Sequence, residues 1–374
     1  MKNKIWLSTP TTHTEEQLFI KEAFETNWIA PLGTNVTEFE KEVASYVGCG
    51  SALAMTAGTH SLHIAMKLAG VGQGDIVLCS DLTFAATVNP VSYEKGIQVF
   101  IGSERDTWNM CPEALEAALK KYGDKVKAVV VVNLYGTPAK LDEIAALCVR
   151  YDKVMIEDAA ESLSATYKNK QTGSFGKYNA ISFNGNKIIT TSGGGMLLSD
   201  DEEAIKKALF WITQARDPAP WYQHSELGYN YRMSNVVAGI GRGQLLHLEE
   251  HRIKKEAVYN RYKEGFNDLP VQMNPYLKDS HPNFWLSCIT INADAVKYIN
   301  PEKIRLALEK ENIEARPAWK PMHIQPYYMN HDFVNAGDDD VGVDVFKRGL
   351  CLPSDIKMTV NEQNYVIDII KSCF

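Results

Sequence analysis

The fold is decided by the segment Ala180-Ile-Ser-Phe-Asn-Gly-Asn-Lys187-Ile-Ile-Thr-Thr-Ser-Gly-Gly-Gly-Met196. It begins as an apolar strand, which delivers Ser182 and Lys187 into a glycine-rich turn. Upstream, a second apolar strand, Val154-Met-Ile-Glu157, runs directly into Asp158. Ligands of open α/β sheets bind outside the carboxyl ends of the strands, so both strand ends are expected to face one crevice. The pattern predicts an amine placed beside an anion site.

Short apolar runs alternate with helical patterns from about residue 50 to residue 200, which is typical of a mostly parallel sheet covered by helices. The runs are almost continuously apolar, as strands buried on both faces should be. Further predicted strands are Ile76-Val-Leu-Cys-Ser80, Gln98-Val-Phe-Ile101, Ala128-Val-Val-Val-Val-Asn133 and Gly195-Met-Leu-Leu198. The fold class is therefore α/β.

The length of 374 residues exceeds the size at which one hydrophobic core stops growing, so two domains are expected. We predict a large domain over residues 1–254 and a smaller mixed domain over residues 255–374. Helices are predicted over 15–26 and 36–47, joined by the loop 27–33. A long helical pattern without internal proline covers 234–262, and Ser234 is its predicted N-cap.

Composition excludes several classes of protein. The 39 basic and 46 acidic residues are spread along the chain, which favours neither nucleic acid nor a membrane surface as partner. No apolar run approaches the roughly 20 residues that span a bilayer. The seven cysteines are scattered, with no Cys-x-x-Cys pair, so we expect reduced thiols, a cytoplasmic protein and no metal site.

Asp158 and Lys187 together predict pyridoxal phosphate chemistry. A carboxylate at a strand end can hold a protonated pyridine nitrogen through a charge-assisted hydrogen bond. An amine between apolar residues loses solvent, which lowers its pKa toward that of a Schiff-base nucleophile. Each residue alone also has an ordinary interpretation, because Asp often caps turns and lysine is usually exposed.

A phosphate site is predicted where Ala57-Gly58-Thr59-His60-Ser61 leads into a helical pattern, since free backbone N–H groups there point at an anion. The Ser182 hydroxyl could add a donor, and Phe84 could stack on a flat ring. The alternatives are an ordinary helix cap and a core phenylalanine. Gly193-Gly194-Gly195 lacks the spacing of a dinucleotide fingerprint, which disfavours a nucleotide-dependent oxidoreductase.

Taken jointly, these segments resemble the DegT/DnrJ/EryC1/StrS sugar aminotransferases, a family of pyridoxal phosphate enzymes. The similarity runs almost end to end and is carried by Asn27-Trp-Ile-Ala-Pro-Leu-Gly33, Gly58-Thr59-His60-Ser-Leu-His63, Thr83-Phe84, Glu157-Asp-Ala-Ala-Glu161, Ser182-Phe-Asn-Gly-Asn-Lys187, Gly228-Tyr-Asn-Tyr-Arg-Met233 and Arg316-Pro-Ala-Trp-Lys-Pro-Met-His323. The resemblance implies the aspartate-aminotransferase-like fold (fold type I), with a large α/β domain and a small C-terminal domain.

The resemblance also implies a role for each matching residue. Lys187 would bind the cofactor as a Schiff base, Asp158 would contact the pyridine nitrogen and Glu161 the ring hydroxyl. Phe84 would lie against the ring, and the phosphate would be held by Gly58, Thr59 and Ser182. His60 and Asn184 would also belong to the cofactor site. His60 departs from many relatives, which have a small residue there. Asn230 would reach the phosphate of a neighbouring subunit's cofactor, which implies a homodimer with shared active sites.

Among subgroups, the chain looks most like the bacillosamine-type enzymes, which aminate UDP-4-keto-6-deoxy-N-acetylglucosamine in bacterial glycan synthesis. The implied reaction moves an amino group from glutamate to the nucleotide-linked keto sugar. Residues expected to line the substrate cleft are Ile29, Pro31, Arg216, Arg232 and His323, although each charged group could equally be a solvated surface residue.

Two alternative functions are also known for proteins of this kind. Sugar dehydratases of the family replace the Schiff-base lysine with histidine, and Lys187 argues against them. Non-catalytic pyridoxal phosphate-binding regulators usually carry a DNA-binding domain, for which the chain shows no basic segment.

Overall fold

A computed structural model describes residues 3–374 of the chain. Its helices are α1 (Glu15–Glu25), α2 (Thr34–Val47), α3 (Gly58–Leu68), α4 (Asn89–Tyr93), α5 (Pro112–Tyr122), α6 (Leu141–Arg150), α7 (Glu202–Ile212), α8 (Asn235–Leu245), α9 (Leu248–Gly265), α10 (Pro301–Lys310), α11 (Val341–Arg348) and α12 (Val360–Lys371).

The strands form three sheets. They are β1 (Ser51–Met55), β2 (Ile76–Ser80), β3 (Ile97–Ile101), β4 (Val126–Val132), β5 (Val154–Asp158), β6 (Thr166–Tyr167), β7 (Lys170–Gln171), β8 (Tyr178–Ser182), β9 (Gly195–Ser199), β10 (Val271–Met273), β11 (Ser280–His281), β12 (Ser287–Ile291), β13 (Arg316–Pro317), β14 (Phe333–Val334) and β15 (Gly349–Leu352).

The large sheet has eight strands in the order β1-β9-β8-β5-β4-β2-β3-β14. Strand β9 pairs antiparallel with both of its neighbours, whereas the pairs from β8 to β14 are all parallel. The predicted mostly parallel α/β sheet is therefore confirmed. Its central strands are those predicted from continuous apolar runs, whereas β1 and β14, at the two edges of the sheet, were not predicted.

Helices cover both faces of this sheet. Because successive strand residues point to opposite sides, neighbouring residues of one strand pack against different helices. Val77 and Cys79 of β2 pack into the cluster that contains Leu62 of α3. Ile76 and Leu78 of the same strand pack instead into the cluster formed with α5 and α6. Burial on both sides explains why these strands lack polar alternation.

The predicted helix over 234–262 is wrong in one respect, because the structure divides it into α8 and α9. Ser234 is the N-cap, as predicted, and its hydroxyl accepts a hydrogen bond from the Val237 amide at 3.3 Å. Helix α8 presses its glycines against α1 and α2, where a Cβ at Gly241 would lie 2.5 Å from the ring of Phe39. Helix α9 packs against β12 and α12 instead. Because α8 and α9 pack against different elements, the chain turns between them.

A smaller four-stranded sheet, in the order β10-β12-β15-β13, forms the core of the C-terminal part together with α9, α10 and α12. The N-terminal segment also belongs here. Ile5 forms a bridge with Ile313, and the amides of Leu7 and Thr9 donate to Glu314 and Asp355, respectively.

The two parts are interleaved. The boundary proposed between residues 254 and 255 lies inside α9, and β14 from the C-terminal part completes the edge of the large sheet beside β3. The two-domain division stays a prediction. Between residues 3 and 374, no helix is long and apolar enough to cross a membrane.

Candidate functional site

A cavity of about 330 Å³ opens at the edge of the large sheet where β5 and β8 end. Because these strands are parallel, their carboxyl ends bring Asp158 and Ser182 to the same edge. Eight of the predicted site residues line this cavity: Gly58, Thr59, Phe84, Asp158, Glu161, Ser182, Asn184 and Lys187. The structure thus brings together residues that span more than a hundred positions of sequence.

Lys187 lies on the turn that follows β8, and its amide donates to the carbonyl of Asn184 at 3.0 Å. Its amine is 3.8 Å from the Glu161 carboxylate, and the side chain is only 12% exposed. Burial lowers the pKa of Lys187, while the charges of Glu161 and Asp158 act in the opposite direction. A buried amine of lowered pKa is a better nucleophile, as predicted for a Schiff-base lysine.

Asp158 is the last residue of β5 and is almost fully buried. Its two oxygens accept hydrogen bonds from the Thr87 hydroxyl at 2.6 Å and from the Ala160 amide at 3.0 Å. Burial raises the pKa of Asp158, although both hydrogen bonds and the charge of Lys187 favour the carboxylate. Thr87, whose hydroxyl fixes the orientation of this carboxylate, was not predicted as a site residue.

Glu161 is buried between the cavity and the backbone of Tyr135, whose amide donates to it at 2.7 Å. Burial raises the pKa of Glu161 to about 7, with Lys187 opposing and Asp158 reinforcing the rise. This carboxyl group can therefore take up or release a proton near neutral pH.

The opposite end of the cavity is the N-terminus of α3, where Ala57 caps the helix without any side-chain hydrogen bond. The first amides of the helix are thus available to an anion. Space is tight here, because a Cβ at Gly195 would lie 2.4 Å from the carbonyl carbon of Ala57. A Cβ at Gly58 would lie 2.9 Å from that of Ser182. Glycine at both positions lets three backbone segments converge on the anion site.

His60 turns its ring away from the cavity lining. Its Nδ1 lies 2.8 Å from the Thr56 hydroxyl, and the ring stacks on Tyr231 with centroids 3.8 Å apart. His60 is not among the residues that line the cavity, and its amide donates to the Ala57 carbonyl at 3.1 Å.

These features fit pyridoxal phosphate as a whole. A buried carboxylate matches the pyridine nitrogen, an amine matches the aldehyde carbon, and a helix N-terminus with a nearby hydroxyl matches the phosphate. Aromatic walls match the ring, since Phe84 and the indoles of Trp285 and Trp319 are all in the lining. Neither tryptophan was identified from the sequence.

A second, more open cavity of about 510 Å³ adjoins the first and shares Phe84 and Trp319 with it. Its remaining lining is largely aromatic and apolar, with Tyr327, Tyr328 and Met322, and Lys320 adds a cation. An aromatic cleft with a few polar groups, next to a reactive centre, is suited to an extended organic ligand.

The other predicted residues lie outside both cavity linings. Asn230, Ile29 and Pro31 are exposed, and Arg216 stacks on Tyr222 at the surface. Arg232 is engaged by the Glu40 carboxylate and by the Ala54 carbonyl.

His323 bridges two carboxylates. Its Nδ1 lies 2.8 Å from Asp81 and its Nε2 lies 3.2 Å from Asp340. Burial opposes protonation of this ring, but the hydrogen bond to Asp81 and the two negative charges raise the pKa of His323. These three side chains are the only group in the described chain close enough to hold a metal ion. Since the histidine uses one nitrogen for each carboxylate, a hydrogen-bonded bridge accounts for the arrangement.

Comparison with known proteins extends these observations. The family model of the DegT/DnrJ/EryC1/StrS aminotransferases matches residues 10–371. A Bacillus subtilis protein named as a pyridoxal phosphate-dependent aminotransferase, EpsN, is 50% identical, and the alignment covers 100% of this chain and 97% of that protein. A GDP-perosamine synthase from Caulobacter vibrioides is 34% identical over 97% of this chain and 96% of its own.

Solved structures agree with the fold. The crystal structure of a DegT DnrJ EryC1 StrS aminotransferase from Brucella abortus superimposes with a TM-score of 0.87 at 25% identity, covering 96% of this chain and 95% of that one. The predicted aspartate-aminotransferase-like fold is thereby confirmed.

Proposed function

The chain belongs to the DegT/DnrJ/EryC1/StrS aminotransferase family, and on this premise we propose that it transfers an amino group from glutamate to a nucleotide-linked 4-keto-6-deoxy sugar. It is a pyridoxal phosphate-dependent aminotransferase. The proposed acceptor is UDP-4-keto-6-deoxy-N-acetylhexosamine, and the proposed role is in bacterial glycan or lipopolysaccharide synthesis. The GDP-perosamine synthase relative supports a sugar nucleotide as the acceptor class.

The observation that carries the proposal is the position of the Lys187 amine, 3.8 Å from Glu161 in a cavity that Asp158 also lines. When bound, pyridoxal phosphate supplies the electron sink that stabilises a carbanion at the substrate carbon. Lys187 has an amine that can carry a proton between a carbon of the substrate and a carbon of the cofactor. Positioned proton transfer of this kind contributes about 10²–10⁴-fold to the rate.

The two carboxyl groups have different environments, which supports different roles. Asp158 is held by two hydrogen-bond donors, so its carboxylate can face a protonated ring nitrogen. Glu161 has one backbone donor and a pKa of about 7, so it can exchange a proton with a ring hydroxyl. We propose that Asp158 keeps the ring nitrogen charged and that Glu161 balances the charge of Lys187.

The second cavity supports binding of an extended acceptor. It opens directly beside the cofactor cavity, its walls can stack on planar or apolar groups, and Lys320 can meet a diphosphate. Ile29, Pro31, Arg216, Arg232 and His323 remain proposed substrate residues, which in a dimer could act on the cleft of either subunit.

A homodimer with shared active sites is supported by the surface around Asn230. Tyr229 and Tyr231 stack on one another with centroids 5.0 Å apart, so the intervening Asn230 projects outward and is exposed. The nearby Asn235 side chain donates to the carbonyl of Trp28, whose own side chain is 49% exposed. We propose that a second subunit covers this face and receives Asn230 at its cofactor phosphate. Because all seven cysteines are free, the cytoplasm is the proposed location.

The test is an assay of nucleotide-linked keto sugars with glutamate, in which formation of an amino sugar is scored by mass spectrometry. We expect the UDP-linked 4-keto-6-deoxy-N-acetylhexosamine to be aminated fastest. The Lys187→Ala variant should fold but lose turnover completely. Amination by this variant at the wild-type rate, or a faster reaction with sugars lacking a 4-keto group, would overturn the proposal.

A further inference from the structure

Tyr135 has a backbone conformation that is unusual for a large aromatic residue. Its φ is 54° and its ψ is 20°, in the left-handed region that favours glycine. A bulky residue rarely adopts this conformation, which persists only where the surrounding contacts hold it. Tyr135 follows β4, whose carboxyl end lies at the same sheet edge as that of its parallel neighbour β5. The strained residue therefore lies next to the cofactor cavity, and strain of this kind clusters at functional sites.

The turn around Tyr135 is fixed on both flanks. The Leu134 amide donates to the side-chain oxygen of Asn109 at 2.8 Å, and the Gly136 carbonyl accepts from the Asn283 amide at 3.2 Å. Packing on the second flank is close, because a Cβ at Gly136 would lie 1.8 Å from the side-chain oxygen of Asn283. The backbone of Tyr135 is thus held in one conformation.

This conformation directs the two ends of Tyr135 to different parts of the site. Its amide donates to the Glu161 carboxylate at 2.7 Å, in the lining of the cofactor cavity. Its phenol oxygen accepts from the amide of Trp319 at 2.9 Å, and the two rings meet in a T-shaped arrangement with centroids 5.1 Å apart. Tyr135 is 1% exposed and lines neither cavity. Any effect on a ligand must therefore pass through Glu161 or Trp319.

Trp319 is half-buried and belongs to the lining of both cavities, as does Phe84, whose ring centroid is 5.7 Å from that of the indole. An amide carries a single proton, so without the phenol of Tyr135 the Trp319 amide loses this acceptor. The second cavity is proposed to hold the acceptor sugar nucleotide, which is much larger than glutamate. A displaced Trp319 should therefore disturb the acceptor more than the amino donor.

We propose that Tyr135 is a positioning residue, which holds Trp319 at the wall between the two cavities and thereby sets the fit of the acceptor sugar nucleotide. This rests on the proposed function, in which the same site receives a small donor and then an extended acceptor. The amide of Tyr135 fixes one wall of the cofactor cavity through Glu161, and its phenol fixes the shared wall through Trp319.

The first experiment measures the kinetics of Tyr135→Phe, which removes the phenol oxygen and keeps the ring and the amide that donates to Glu161. We expect KM for the UDP-linked 4-keto sugar to rise about three- to tenfold, the loss of one hydrogen bond. The kcat value should stay within twofold of wild type. The rate at which glutamate changes the absorbance of the bound cofactor in a single turnover should also stay within twofold.

Tyr262→Phe is the matched control. Tyr262 is also fully buried, and its phenol donates to the Pro353 carbonyl at 2.8 Å, but it lines neither cavity. This variant loses one buried hydrogen bond to the backbone and should keep KM for the acceptor. A rise in KM equal to that of Tyr135→Phe, or a glutamate reaction slowed as much as the acceptor reaction in Tyr135→Phe, would overturn the proposal.

A combined variant tests whether Tyr135 acts through the indole of Trp319. Trp319→Ala alone should raise KM for the acceptor. If the indole carries the effect, adding Tyr135→Phe to Trp319→Ala should raise KM no further, because interacting residues are not additive. An undiminished further rise would show that Tyr135 acts by another route and would refute the role assigned to it.

The last measurement needs no substrate. In the cofactor-free protein, hydrogen exchange followed by mass spectrometry should show the amide of Trp319 exchanging about three- to tenfold faster in Tyr135→Phe, and at the wild-type rate in Tyr262→Phe. Unchanged exchange in Tyr135→Phe would overturn the proposal. Faster exchange in a protein whose wild type aminates no keto sugar would refute the proposed substrate and leave the hold of Tyr135 on Trp319 established.

Discussion

Replacing Asp158 with asparagine tests the electrostatic centre of the site. The variant keeps the shape of the side chain and removes its charge. An asparagine oxygen can still accept from the Ala160 amide, and its NH2 group can donate to the Thr87 hydroxyl, which in turn lies 2.6 Å from the hydroxyl of Thr83. Since burial disfavours the carboxylate, we expect the cofactor-free variant to unfold at the same temperature as wild type or higher.

We expect the variant to bind pyridoxal phosphate more weakly instead. A buried hydrogen bond between charged partners contributes about 1.5–3 kcal/mol, so its loss should weaken binding of pyridoxal phosphate by about 10- to 150-fold. Titration of the cofactor-free protein can follow quenching of tryptophan fluorescence, since Trp285 and Trp319 line the cavity.

The matched control is Thr87→Val, which removes a donor to Asp158 and leaves the charge. It should retain affinity within a few-fold. Binding by Asp158→Asn within twofold of wild type would refute the assigned contact with the ring nitrogen. An equal loss in Thr87→Val would mean that the pocket itself had been damaged.

Two further variants test the anion site and the second carboxyl group. Gly195→Ala places a methyl group 2.4 Å from the Ala57 backbone, so it should cost about 1–3 kcal/mol of stability and reduce the affinity for inorganic phosphate. The control is Gly185→Ala, whose methyl group would have 3.8 Å of clearance and should change neither quantity. Equal phosphate binding by the two variants would contradict the assigned anion site. The pKa of Glu161 is about 7 in the folded protein, against 4.5 in the unfolded chain. The stability that this group contributes is therefore greatest below pH 4.5 and declines by about 3 kcal/mol as the pH rises to about 7. In urea unfolding of the cofactor-free protein, Glu161→Gln should lack this decline, and a stability that depends on pH in the same way in the variant and in wild type would count against the assigned pKa.

The central strands and the cavity residues at their ends were predictable from the sequence for one physical reason. Strands covered on both faces are continuously apolar, so the first polar residue after each run marks the edge where ligands bind. Ser182 follows this rule directly. In β5 the first polar residue is Glu157, which accepts from the amides of Gly173 and Phe175, and it is the next residue, Asp158, that lines the cavity.

Contacts between distant segments were not predictable in this way. Trp285 reaches Asn186 across 99 positions of sequence, and no local pattern distinguishes it from a core tryptophan. Likewise, no local pattern indicates that Arg232 and His323 bind carboxylates 192 and 242 positions away. The break between α8 and α9 was missed because no proline or exposed glycine marks it; the partners of each helix impose the turn.

The segment from Ile5 to Thr9 is made first on the ribosome but packs against parts of the chain that are made last. The Thr9 amide finds its acceptor, Asp355, 346 residues further along the chain. At a translation rate of about 5–20 residues per second, this segment waits about 17–70 s for its partner to be made. During that interval the Ser8 hydroxyl, which donates to the carbonyl before Lys187, has only partners made earlier, such as the amine of Lys255, to hold it in place. The large sheet can form early, but the lysine turn receives its last support only when the end of the chain emerges.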